Sequence, residues 1–245
     1  MKFDINCDMG ESFGLYTMGD DAAIMPYVTV ANVACGFHAS DPMVMRRTVA
    51  LAKDHGVKVG AHPSLPDLQG FGRREMKMRP EELVAAVLYQ VGALKAFLDA
   101  EGMPLNHIKP HGALYGMAAR DEEVAAAIAE VALVFKVPVL GLAGTQHEAV
   151  YKARGLDFVP EFYADLDYDQ TGKLIITREH HAVEPEAAAV RVVRALKEGK
   201  VTSVEGPDVA VSGRSVCVHS DTPNALAVAG AVRVAVDRLN AMAEA

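Results

Sequence analysis

Cysteine is scarce in this chain. Cys7, Cys35 and Cys217 are its only three, none forms a CxxC pair, and no spacing among them reads as a disulfide framework. The odd count fits a reducing compartment, and a cytoplasmic location is expected. Positive charge is also short. Lys and Arg number 24 against 32 Asp and Glu, a formal net charge of −8. No basic stripe is available to neutralise phosphates, which excludes a general nucleic-acid binder. No extended apolar segment follows Met1-Lys2-Phe3-Asp4-Ile5-Asn6, so this end does not read as a signal peptide. No apolar run reads as an uninterrupted membrane span, and no membrane association is expected. The Ala/Val-rich stretch 223–236 carries Asn224 and Arg233 and reads as a packed helix. A GxxxxGK[ST] phosphate loop, a GxGxxG fingerprint after a strand and an HExxH pair are all missing. If ATP is used, it must be bound in another way or by partner chains.

Against these absences, 51% of the residues are hydrophobic and 23% charged, the balance of a soluble globular protein. A chain of 245 residues buries roughly 70–75% of its unfolded surface without disulfide staples. Short apolar runs alternate with longer helical ones. Strands are predicted over 3–7, 29–35, 57–61, 107–109, 137–142, 157–162 and 215–219. Helices are predicted over 42–55, 80–101, 121–135, 146–153, 186–198 and 223–243. In the second helix Val84, Val87, Leu88, Val91, Leu94 and Leu98 form one apolar stripe. Pro42, Pro80, Pro185 and Pro223 stand at first-turn positions, and Gly56 and Gly102 at C-terminal caps. Strands separated by helices imply parallel pairing with right-handed crossovers. Seven strands predict an irregular α/β barrel of about seven β/α units, with a doubly wound open sheet as the alternative. No linker, repeat or low-complexity tract interrupts 1–245, so one domain is expected.

The unusual polar residues fall in clusters directly after these strands: Asn6-Cys7-Asp8-Met9-Gly10-Glu11, Cys35-Gly36-Phe37-His38-Ala39-Ser40-Asp41, Gly60-Ala61-His62-Pro63, Lys109-Pro110-His111-Gly112 and His219-Ser220-Asp221-Thr222. Parallel strands aim their C-terminal ends at one crevice, so the clusters predict a single composite site. Asp8 and Glu11 are candidate bases or metal ligands, the bland alternative being loop caps. His38, His62 and His111 follow three successive strands; they can bind a metal with Asp8 or work as proton-transfer groups without one. Lys109 and His111 would face one side by strand alternation, and a lysine there needs Asp8, Glu11 or an anionic substrate as partner. Asp221 reads equally as the N-cap of the last helix or as part of the site. Arg73 and Arg74, beside Gly72 in the long loop 63–79, can close on a carboxylate or phosphate. A second long loop, 163–183, carries a turn at Asp169-Gln170-Thr171-Gly172, a strand-like Leu174-Ile175-Ile176-Thr177 and the pair His180-His181. Both loops are candidate lids. The cysteines read as small buried residues.

Several long motifs in one order, among them Asn6 to Gly14, Met18-Gly19-Asp20-Asp21, Ala34 to Ala39, Gln69-Gly70-Phe71-Gly72-Arg73-Arg74, Lys109 to Tyr115 and Val218 to Pro223, resemble the LamB/YcsF family from nearly end to end. The family includes one of the subunits of the prokaryotic ATP-dependent 5-oxoprolinase. The resemblance implies a (β/α)7 barrel of the glycoside hydrolase/deacetylase type. It also implies opening of the 5-oxo-L-proline lactam to L-glutamate with ATP hydrolysed to ADP and phosphate, together with two partner subunits, B and C. Asp8, Glu11, His38, His62, Lys109 and His111 are then the catalytic candidates, and Asn6, Arg73, Arg74 and Asp221 the substrate-binding ones. A divalent metal, with Asp8, His62 and His111 as candidate ligands, is left open. Deacetylases hold theirs with an Asp and an HxxxH pair, and no metal is carried over from them. One stretch departs from the pattern: where the family commonly has Phe-Ala-Asp-Arg-x-Tyr, this chain has Tyr163-Ala164-Asp165-Leu166-Asp167-Tyr168, with Arg178 further on. A stand-alone metal-dependent amide or sugar hydrolase, a homo-oligomer and a non-catalytic scaffold subunit are the other readings.

Overall fold

The structure is a computed structural model that describes residues 2–175 and 181–244. Eleven strands are present among the described residues: β1 (Asp4–Met9), β2 (Val30–Ala34), β3 (Lys58–His62), β4 (Leu105–Ile108), β5 (Val139–Gly141), β6 (Phe158–Tyr163), β7 (Asp167–Tyr168), β8 (Leu174–Ile175), β9 (Lys200–Thr202), β10 (Asp208–Ala210) and β11 (Ser215–Val218). Seven of them, in the order β1-β11-β6-β5-β4-β3-β2, close into a barrel in which every pairing is parallel. The seven-unit barrel expected from the strand–helix alternation is therefore correct, and the open-sheet alternative is not. β9–β10 and β7–β8 are small antiparallel hairpins outside it. The second is the hairpin expected in the 163–183 loop. Its predicted Ile176 and Thr177, like Arg178 and His180, lie outside the described residues.

Eight helices accompany the strands among the same residues: α1 (Asp21–Ile24), α2 (Pro42–Asp54), α3 (Pro80–Ala100), α4 (Gly112–Arg120), α5 (Glu122–Phe135), α6 (Gln146–Ala153), α7 (Pro185–Glu198) and α8 (Ala225–Glu244). Local chemistry explains where they start. The Asp41 carboxylate accepts from the N–H groups of Met43 and Val44, with Pro42 in the first turn of α2. Asp121 does the same for α5, and the Thr145 hydroxyl accepts from the His147 N–H at the start of α6. Gly56 and Gly102, both at φ +67, follow α2 and α3. In α3 the residues Leu83, Val87, Val91, Leu94 and Leu98 are buried. This helix is long and apolar enough to cross a membrane, contrary to the sequence reading, but its buried face packs into the hydrophobic core that surrounds the barrel; of the predicted stripe, Val84 is partly buried and Leu88 is exposed, with Leu83 buried instead.

Two expectations are corrected. Helix α4 was not anticipated; Gly112 and Gly116 within ten residues weaken its propensity, and its Leu114, Tyr115 and Ala118 are held by burial instead. The last helix begins at Ala225 rather than 223, so Asp221 does not cap it. Past the end of β4 the extended backbone continues the ladder, with the Lys109 N–H donating to the Ala61 carbonyl and the His111 N–H to the Pro63 carbonyl, so Lys109 and His111 face one cavity as strand alternation predicts.

Candidate active site at the barrel mouth

The interior of the barrel is polar beneath its C-terminal end. Asn6 in β1 donates to Ser215 in β11 (2.8 Å). Asn32 in β2 donates to Asn6 Oδ1 (2.8 Å) and Asp8 Oδ1 (2.7 Å), and His107 Nε2 lies 2.6 Å from Asn32 Oδ1. Burial holds the His107 pKa down at about 3, so it serves as a neutral donor in this ladder. The ladder has room for His107 because position 60 is glycine: a Cβ there would lie 2.0 Å from the imidazole.

Above this floor sits Lys109, 2% exposed. Its Nζ lies 3.0 Å from Asp8 Oδ1, 3.2 Å from Glu161 Oε2, 3.2 Å from Asn6 Oδ1 and 3.2 Å from Cys217 Sγ. Burial by itself would strip the proton from such an amine; the Asp8 carboxylate, with Cys217 and Glu161, outweighs burial and holds the Lys109 pKa well above its ordinary value. Asp8 is in turn kept ionised against burial by His62 and Lys109. Burial pushes the Cys7 and Cys217 thiols up, and all three cysteines are buried and free. They are inert as nucleophiles in this setting.

The histidines form the other wall. His62 Nδ1–H donates to the Lys109 carbonyl (2.7 Å), and His111 Nε2–H donates to the Phe71 carbonyl (2.8 Å). The remaining nitrogens of the two rings face each other at 3.0 Å. Asp8 Oδ2 is 3.3 Å from His62 Nε2, and Glu11 Oε1 is 3.3 Å from His111 Nδ1 and 3.2 Å from His38 Nε2. The His38 ring stacks on His111 with centroids 3.8 Å apart. Burial raises the cost of charge on Glu11, yet His111 and His38 outweigh it and hold its pKa far below the carboxylate range. Burial lowers His38 to about 3. The ligand atoms of Glu11, His38, His62 and His111 all lie within 4.8 Å of one another, so this buried cluster could hold a metal ion.

The loop between β3 and α3 completes this wall. Phe71 takes φ +54, a strained value for a residue with a Cβ, and so turns its carbonyl to His111. Gly72 follows at φ +64; a Cβ there would meet Ser64 Oγ at 2.3 Å, His38 Cβ at 2.8 Å and His111 Cδ2 at 2.9 Å. Across the mouth, the Asp165 carboxylate accepts from the His219 N–H and lies 2.8 Å from His219 Nδ1. Burial disfavours the charged imidazole, but Asp165 prevails and raises the His219 pKa to about 9.

Asp8, Glu11, His62, Arg73, Lys109, His111 and Asp221 line one cavity of about 70 Å³. His38 stands directly behind, in contact with Glu11 and His111. Two predicted substrate-binding residues sit elsewhere. Asn6 is wholly buried in the floor, and Arg74 turns away to pair with Asp67. Arg73 reaches Asp221 (3.3 Å) at the rim. In the divergent stretch, Leu166 lines the cavity, while Arg191 from α7 donates to the Leu166 carbonyl (2.6 Å) and pairs with Asp167 (3.4 Å).

The sequence reading missed Glu161, the Asp165–His219 pair and Tyr163, which lines the cavity with its ring centroid 5.4 Å from Lys109 Nζ. A charged Glu161 inside the apolar run Phe158-Val159-Pro160-Glu161-Phe162 was the available signal. It also passed over the His107-x-x-x-His111 spacing. That spacing carries no convergence, because His107 points into the barrel floor and only His111 reaches the cluster.

The LamB/YcsF family model matches residues 3–244. The lactam utilization protein lamB of Emericella nidulans is 48% identical over 240 residues, covering 96% of this chain and 94% of its own. The A subunit of a 5-oxoprolinase from Bacillus subtilis is 49% identical over 238 residues, covering 95% and 92%. The crystal structure of a lactam utilization protein from Thermus thermophilus superposes with a TM-score of 0.91 at 48% identity, covering 98% of this chain and 97% of that one.

Proposed function

The chain belongs to the LamB/YcsF family, and from this premise we propose that it is the A component of an ATP-dependent 5-oxoprolinase. Its reaction is the opening of the 5-oxo-L-proline lactam to L-glutamate. In this reading the whole chain, 1–245, is one barrel domain that works with two partner subunits, B and C. The names borne by relatives of nearly equal length support the substrate and the existence of other subunits. The observation that carries the reading is the buried Lys109–Asp8 pair beside the His62–His111 wall, all facing one small polar cavity.

An unstrained lactam is a poor electrophile, and phosphorylation of its amide oxygen by ATP makes the carbonyl carbon attackable. The sequence has no phosphate loop, so the nucleotide is taken up in another way or by the partner subunits. The residues of this chain then have separable tasks. Arg73, at the rim, receives the substrate carboxylate. His219, kept protonated by Asp165, and Lys109 set a positive field for the phosphoryl group carried by the activated carbonyl oxygen. Asp8, held ionised by His62 and Lys109, takes a proton from the attacking water. Water oxygen joins the activated carbonyl carbon, the C–N bond breaks as the ring nitrogen takes up the proton that Asp8 received, and the γ-glutamyl phosphate left behind is hydrolysed to L-glutamate and inorganic phosphate.

The test is 5-oxoproline-dependent release of ADP and glutamate, measured with this chain alone and with its partners. Turnover is expected only in the reconstituted complex. Asp8→Asn and Lys109→Met are each expected to lower it by on the order of 100-fold or more. Unchanged turnover in both variants overturns the assignment of the site and favours the scaffold reading.

A further inference from the structure

The histidine wall contains a hydrogen-bond deficit that the proposed reaction does not resolve. A backbone carbonyl can only accept, so His62 must carry its proton on Nδ1 and His111 on Nε2. The two nitrogens left over, His62 Nε2 and His111 Nδ1, then meet lone pair to lone pair at 3.0 Å. Each also faces a carboxylate oxygen at 3.3 Å, Asp8 Oδ2 and Glu11 Oε1 respectively. Four acceptors converge on one buried spot; His38 Nε2 is within reach of Glu11 Oε1 alone (3.2 Å), which leaves the two facing imidazole nitrogens without a donor, and something positive has to sit there.

We propose that Glu11, His38, His62 and His111 hold one divalent first-row transition-metal ion, with zinc as the reference case. Three features of the geometry support a metal over a mere polar contact. Metal–nitrogen and metal–oxygen bonds of about 2.0–2.1 Å in a tetrahedral site place neighbouring ligand atoms about 3.3 Å apart. The contacts around the cluster are 3.2 Å for His38–Glu11, 3.3 Å for Glu11–His111 and 3.0 Å for His111–His62. A ligating imidazole commonly donates its other N–H to a carbonyl, which fixes the tautomer that exposes the ligand nitrogen. His62 and His111 both do so. Three imidazoles and one carboxylate are a donor set suited to zinc, iron or nickel, whereas magnesium and calcium prefer all-oxygen shells. His38 Nδ1 makes no hydrogen bond among the described residues, so its ring is the least constrained of the three and the one that turns most readily to a metal. The ligands come from the ends of β1, β2, β3 and β4, which is why no local spacing announces the site.

This inference rests on the side chains and not on the identity of the substrate. Its test is accordingly metal binding by the full chain, separate from turnover. The protein, stripped with a chelator, is titrated with Zn²⁺ or Co²⁺; bound metal is counted by elemental analysis after dialysis, and the Co²⁺ form is followed by its visible spectrum. One ion per chain is expected, with a ligand-field spectrum of low-symmetry four- or five-coordination and a metal-dependent rise in Tm. Glu11→Gln and His111→Ala should each weaken binding roughly tenfold or more, while His55→Ala, exposed beyond the end of α2, should not. Thermal unfolding of each metal-free variant separates loss of a ligand from loss of the fold. The proposal is overturned by the absence of stoichiometric binding for both ions. Binding that survives unchanged in Glu11→Gln and His111→Ala overturns it equally. In either case a shared proton, not a metal, bridges the histidines. If the metal is found and 5-oxoproline turnover is not, the proposed function falls while this site stands.

Discussion

Lys109 shows how a single residue can be both costly and indispensable. Its ammonium, stripped of water, is matched by two carboxylates, and removing it would leave Asp8 and Glu161 facing each other without a counter-charge. Its identity and strand-end position could be read from the sequence; its second carboxylate, Glu161, arrives from a strand more than fifty residues later and could not. The Asp165–His219 pair supports a pH prediction. With the His219 pKa raised from 6.5 to about 9, the pair's contribution to stability is complete below pH 6.5 and fades as pH rises toward 9. Asp165 adds an opposite limit, since its lowered pKa means the contribution fails again in acid below the ordinary Asp range. Asp165→Asn should therefore be most destabilised relative to the wild type between about pH 4 and 6.5, by at most about 3 kcal/mol. The gap should close toward pH 9. Urea unfolding across that range measures it, and a gap that widens with rising pH rejects the pairing.

Among the elements, the loop between β3 and α3 matters most. Its length and its Gly70-Phe71-Gly72-Arg73-Arg74 run suggested a lid with two anion-binding arginines. The folded loop is a wall of the site: Asp67 gathers the N–H groups of Gly70 and Arg74 and the Arg74 guanidinium, while Ala113 in α4 donates to the Gly72 carbonyl (2.8 Å). Adjacent arginines thus part company, which identity and spacing could not reveal. Gly72 and Gly56 make a matched comparison, since both have positive φ but only Gly72 is crowded. Gly56→Ala should cost roughly 1–2 kcal/mol and leave turnover intact. Gly72→Ala should displace His38 and His111 and lower turnover of the reconstituted complex by roughly tenfold or more beyond any loss of folded protein. Equal activity in the two variants would remove this loop from the site.

At the scale of the molecule, barrel closure is the event that makes the site. β1 pairs with both β2 and β11, which sets Asn6 and Asp8 between Asn32 on one flank and Cys217 on the other. The polar ladder across that interior depends on Gly60 leaving space for His107. Gly60→Ala should lower stability by about 1–3 kcal/mol or more through overpacking. The double variant Gly60→Ala/His107→Ala should recover part of that loss, as the ring that clashes is gone. Thermal unfolding of the three proteins checks this, and strictly additive losses would reject it. By itself, the sequence determined the alternation of strand and helix, and hence the parallel barrel, because periodicity and helix caps are local properties that a chain carries in its own order. It determined also that Asp8, Glu11, His38, His62, Lys109 and His111 gather at one end, since parallel strands can point their C-terminal ends only one way. Tertiary structure alone decided which atoms meet. It separated Arg73 from Arg74, sank Asn6 into the floor, brought Glu161 to Lys109 and set two imidazoles lone pair to lone pair. Those outcomes follow from barrel register and ring tautomers, which are fixed by contacts between segments remote in sequence.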